Sequence, residues 1–122
     1  MHRKIMEKLV VWKNNTNNRL PLLIYGARQV GKTYIIQEFA NEYYKNNIYV
    51  NFERMENIAR KFNSDISPNN IVSFLQSSLN TKIVPEETLI IFDEIQACER
   101  TLTSLKYFTE EAPEYHLIAA GS

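Results

Sequence analysis

Residues Gly26-Ala27-Arg28-Gln29-Val30-Gly31-Lys32-Thr33 form the pattern G-x-x-x-x-G-K-[ST], whose residue types suit one kind of chemistry, the holding of phosphate. Gly26 and Gly31 allow backbone angles and a closeness of approach that a side chain would block. Successive N–H groups of the loop can then converge on phosphate oxygens, helped by the dipole of the helix that the loop opens. Lys32 brings a compact positive charge to the β- and γ-phosphates. Thr33 offers its hydroxyl to Mg²⁺, a hard ion that prefers oxygen ligands and keeps several waters. Farther along, the apolar run Leu89-Ile90-Ile91-Phe92 delivers two adjacent carboxylates, Asp93 and Glu94. Asp93 is the natural magnesium holder beside Thr33, and Glu94 is suited to polarise an attacking water.

The surrounding elements must bring these residues together. Leu20 to Tyr25 reads as a short apolar strand entering the loop. From Lys32 to about Asn46 the spacing is that of an amphipathic helix, with Ile35, Ile36, Phe39, Ala40 and Tyr43 on one apolar face. Ile48 to Phe52 reads as a second strand, and residues 54–63 as a short helix. Ser67 and Pro68 suit the cap and first turn of another helix, whose Ile71, Leu75 and Leu79 recur every four residues. Thr88 to Phe92 is the near-continuous apolar run of a buried parallel strand. Thr101 is expected to cap a further helix with Leu102, Leu105, Phe108 and Ala112 facing the core. Tyr115 to Ala120 is a last strand. An amphipathic helix over residues 3–13, placing Ile5, Leu9 and Trp12 on one side, precedes the polar connector Asn14 to Asn18. Strands alternating with helices predict a three-layer α/β/α fold around a parallel sheet with right-handed crossovers.

Bulk properties narrow the classes further. A chain of 122 residues makes at most one domain, burying roughly 65–70% of its unfolded surface. Fourteen basic residues balance fourteen acidic ones, so no net field draws it to nucleic acid or to an anionic membrane. One cysteine precludes an internal disulfide and fits a reducing compartment. With no signal peptide and no apolar stretch approaching the roughly 20 residues of a membrane span, the expected location is the cytoplasm.

The acids also suggest a base preference. G proteins usually follow this aspartate with x-x-Gly, whereas position 96 holds Gln96; an Asp-Glu pair is the habit of ATP-hydrolysing phosphate-loop enzymes, a distinction made by analogy. The expected ligands are therefore ATP and Mg²⁺. Gly26 to Thr33, Phe92-Asp93-Glu94-Ile95-Gln96 and Leu117-Ile118-Ala119-Ala120-Gly121-Ser122 together resemble one prokaryotic group of AAA-type ATPases. The resemblance spans nearly the whole chain, with the three motifs in the group's order and approximate spacing. In that group the ATPase domain precedes a C-terminal domain of uncharacterised function.

The resemblance implies strand order 5-1-4-3-2, with the strand ending at Ser122 between the loop strand and the Asp-Glu strand. Ser122 would then stand where these ATPases place a polar residue that senses the γ-phosphate; a polar residue closing a strand end is the competing reading. A fifth strand, a helical lid and any arginine finger, the last worth 10³–10⁵ in rate where used, would lie beyond residue 122. Residues 19–122 are thus expected to be a partial phosphate-loop core behind an N-terminal helix and connector over residues 1–18. Without the fifth strand, Leu20 to Tyr25 becomes a sheet edge that invites self-association.

Other candidates read more plainly. Arg28 and Gln29 fit a solvated loop, or a contact to the γ-phosphate or to a partner subunit. Asn51 and Glu53 end the second strand on the ligand side of the sheet, Glu53 reading as a solvated acid or an outlying metal contact. Arg54 and Arg100 read as surface charge unless the protein assembles. Cys98 reads as an inert thiol, and His2 and His116 as isolated imidazoles with no zinc spacing. Three functions remain open at this stage: Mg²⁺-dependent ATP hydrolysis, an ATP-operated switch with negligible turnover of its own, and small-molecule phosphoryl transfer. The last gives no reason for the Asp93-Glu94 pair.

Overall fold

The four strands described in this chain are all parallel, so their carboxyl ends lie together at one end of the sheet. The computed structural model describes residues 2–17, 19–26 and 31–122. The strands are β1 (Leu22–Tyr25), β2 (Asn46–Asn51), β3 (Thr88–Asp93) and β4 (His116–Gly121). Their order is β1-β4-β3-β2, so the last strand lies between the loop strand and the acidic strand, as the resemblance implies. Registers are well defined: Leu22 pairs with Ile118, Ile91 with Ile118, and Asn51 with Asp93. The two central strands are buried at every position. That is why their sequences run apolar without alternation.

Helices cover both faces. Helices α1 (His2–Asn14) and α2 (Lys32–Tyr43) lie on one side; α3 (Glu56–Ser64), α4 (Pro68–Leu79) and α5 (Arg100–Glu111) lie on the other. The α1/α2 side packs Leu9, Ile35, Ile36, Phe39 and Ala40 onto Leu89, Ile91, Ile118 and Ala120. The opposite side centres on Phe52, Phe62 and Phe92, whose rings meet edge to face at centroid distances of 4.9–5.4 Å, the arrangement that aromatic quadrupoles favour. Strand β2 and its neighbours in sequence thereby fix how the acidic strand sits between two cores.

Some helical faces differ from their expected phase. In α5, Thr101 lies inside the helix rather than capping it and is buried with Ser104, Leu105 and Phe108, while Leu102 is 46% exposed. The buried set 101, 105, 108, 112 keeps helical spacing, and Leu102, about 100° around from Thr101, turns outward. In α1 the buried residue is Leu9, with Met6 and Val10 packed beside it, and Ile5 turns outward. At the end of α2, Tyr44 is buried in place of Tyr43. Ser67 does occupy the N-cap of α4 with Pro68 following, but its side chain makes no capping bond. Asp65 serves that turn instead, accepting from the Ser67 N–H at 3.0 Å and from Asn70 Nδ2 at 2.6 Å.

Candidate functional site

The carboxyl ends of parallel strands are where α/β sheets bind ligands, and every expected chemical group in the described residues lies there. Gly26 follows β1 directly, and its N–H donates to Gly121 O at 3.2 Å, extending the β1–β4 pairing into the loop. Ala27, Arg28, Gln29 and Val30, expected to line the phosphate, lie outside the described residues. Gly31 has φ +71° and caps α2. That left-handed backbone suits glycine and strains other residues. Helix α2 therefore begins at Lys32, with its N-terminus at the end of the loop.

The geometry brings Thr33 and Asp93 into direct contact. Thr33 Oγ1 donates to Asp93 Oδ2 at 2.8 Å across 60 positions of sequence. Asp93 is 2% exposed and fully engaged, since Oδ2 also accepts from the Tyr49 hydroxyl at 2.6 Å and Oδ1 accepts from the Glu94 N–H at 2.9 Å. A buried carboxylate needs such donors to offset the loss of water. Lys32 is 9% exposed, with its Nζ donating to Gly26 O at 3.1 Å. Its ammonium is thus held over the entry to the loop.

Glu94 stands at φ +52°, in the left-handed region. A non-glycine residue there costs of order 1–3 kcal/mol, and such strain concentrates at functional positions. The turn carries the chain out of β3 and into the one-turn 3₁₀ helix Ile95–Ala97. Gln96 then reaches back in two directions: its Nε2 donates to Glu94 Oε1 at 2.7 Å, and its Oε1 accepts from the Ser122 N–H at 3.3 Å. Ser122 is thus tied to the acidic strand end through its backbone, with its residue exposed at the edge of the site.

One participant, Tyr49, was not singled out from sequence. Tyr49 sits in the middle of β2 and reads as a strand residue; its contact with Asp93 follows from the β2–β3 register, which places positions 49, 51, 91 and 93 on one face. Burial first, and the bond to Asp93 second, push the Tyr49 phenol up to about 12. Asn51, two residues on, points its Nδ2 at the Tyr49 hydroxyl at 3.5 Å and accepts the Glu53 and Arg54 N–H groups through its Oδ1. Glu53 lines a cleft with Glu56, Arg60 and Asn63. Arg54 and Arg100 are exposed. Cys98 is a buried free thiol facing Ala59 O and Asn63 Oδ1. His116 is buried at the opposite end of the sheet, with its Nδ1 2.6 Å from the Tyr44 hydroxyl and Trp12 edge-on to its ring.

A parallel sheet of this order, a glycine-led helix start and an acidic strand end in contact with it define a phosphate-loop NTPase-like α/β protein. A family model described as an AAA domain matches residues 18–122, and the chain belongs to that family. A search of curated proteins finds no match. Family membership gives the chain a nucleotide-binding, ATPase-like character in general terms. Among the described residues, no helix is long and apolar enough to cross a membrane.

Proposed function

We propose that the chain binds ATP with Mg²⁺ and hydrolyses the bond between its β- and γ-phosphates, releasing ADP and inorganic phosphate. The observation that carries this reading is the Thr33–Asp93 hydrogen bond, which joins the start of the loop helix to the acidic strand end. A hydroxyl and a carboxylate 2.8 Å apart are hard oxygen donors, and a magnesium ion needs only one or two protein ligands, with phosphate and water completing its shell. The donor set fits that ion. Bound there, Mg²⁺ would neutralise charge on the β- and γ-phosphate oxygens. Gly26 and Gly31 let the backbone close on phosphate, and Lys32 exchanges its bond to Gly26 O for phosphate oxygens. Glu94, presented beyond β3 by its left-handed turn, orients the attacking water and accepts its proton.

The alternative is an ATP-operated switch with little hydrolysis of its own. The hold of Gln96 on Glu94 and on the Ser122 N–H favours it, because a tethered carboxylate must be released before it can meet water. Glu94→Gln separates the readings. Hydrolysis predicts that this variant keeps ATP affinity, measured by calorimetry, and loses at least about a hundredfold in phosphate release, within the range for a general base. Unchanged release removes Glu94 from the role. Binding without release in either protein leaves the switch. Phosphate release in the absence of any acceptor argues against a small-molecule kinase.

A further inference from the structure

Asp93 Oδ2 accepts two hydroxyls, from Thr33 and from Tyr49. Thr33 belongs to the first turn of the loop helix, whereas Tyr49 is held in β2 by pairing with Ile91 of β3. Its partly buried ring packs against the core formed by α1, α2 and the central strands, and its hydroxyl is itself addressed by Asn51 Nδ2. The chain Asn51–Tyr49–Asp93–Thr33 therefore runs from the end of β2 to the first turn of α2. The remaining oxygen, Oδ1, takes the backbone N–H of Glu94. With both oxygens engaged from the sheet side, the carboxylate plane cannot rotate without breaking a bond.

We infer that Tyr49 is a positioning residue for the metal site: its hydroxyl holds the Asp93 carboxylate in the orientation that receives a magnesium–nucleotide. It acts through Asp93 and touches neither metal nor phosphate. Partners behind a metal-holding carboxylate commonly change metal affinity by 10–100-fold when removed. The inference rests on the proposed nucleotide site. It adds that the metal-dependent part of nucleotide affinity is set by a residue on β2, outside the loop and outside the Asp-Glu pair.

The test is Tyr49→Phe, which keeps the packed ring and deletes only the hydroxyl. ADP is titrated calorimetrically into wild type and variant, once in saturating Mg²⁺ and once in EDTA, so that no turnover enters the readout. The expected result is an unchanged affinity in EDTA and a loss of about tenfold in the Mg²⁺-dependent increment. Manganese titrated into the protein–ADP complex, followed by its spin resonance signal, should show the same weakening. A full increment retained in Tyr49→Phe overturns the role of Tyr49 while leaving the nucleotide site standing. An equal loss with and without metal makes Tyr49 merely structural and overturns the inference too. Failure of folded wild type to bind ADP under either condition overturns the site and the inference together.

Discussion

At the scale of single residues, two glycines at the site face different constraints. Gly31 adopts φ +71°, yet a Cβ there would have no neighbour within 4 Å. Gly121 has an ordinary φ, but its Cβ would lie 3.0 Å from Tyr25 Cε1, 3.1 Å from Gln96 Oε1 and 3.1 Å from Ile95 Cγ1. Gly31→Ala should therefore cost about 1–2 kcal/mol of backbone strain. Gly121→Ala should cost about 1–3 kcal/mol of overpacking, and it should also disturb the amide that holds Glu94. Urea unfolding reads both costs, and phosphate release measured on the same proteins should change at Gly121 through Gln96. A stable Gly121→Ala variant would mean that Tyr25 and Gln96 yield easily. Asp93 could be picked out as a candidate because the phosphate loop stands earlier in the chain; an apolar run ending in acids is by itself commonly just a strand end. Tyr49 could not be, because a tyrosine in a strand is ordinary until the pairing of Asn51 with Asp93 fixes the register.

Element by element, the strands were easier to read than the helical faces. Buried parallel strands announce themselves as apolar runs, so Thr88–Asp93 and His116–Gly121 lie within one residue of the expected bounds. Helix phase is less secure, since Thr101 is buried and Leu102 exposed in α5; a buried threonine and an exposed leucine invert the hydropathy signal that set the phase. Strand β1 carries a consequence of its own. Among the described residues it pairs only with β4, and Leu20, Leu23 and Tyr25 are 59%, 41% and 56% exposed. An edge with open backbone groups and apolar neighbours tends to pair with another chain. Sedimentation should show association that grows with concentration, and Leu23→Lys should reduce it. A monomer at every concentration would mean the edge is protected.

For the molecule as a whole, acid stability should depend on a group far from the site. His116 is buried beside Tyr44 and Trp12, and burial, with Arg19 and Lys13 adding to it, pushes its imidazole down to about 4. The unfolded chain takes up that proton near pH 6.5 while the folded one stays neutral until about pH 4. Stability should thus fall as pH drops through this window and level off below it. His116→Gln should flatten that limb of the pH–stability curve; an unchanged limb would assign it to other groups. The proposed nucleotide site lies at the opposite end of the sheet, where the loop, the acidic strand end and the β4 terminus converge. Its most direct test is calorimetric titration of the folded protein with ATP and Mg²⁺. Saturable one-to-one binding, weakened when Lys32 is replaced by alanine, is the expected result. No binding by a protein shown to be folded would overturn the nucleotide site from the loop onward.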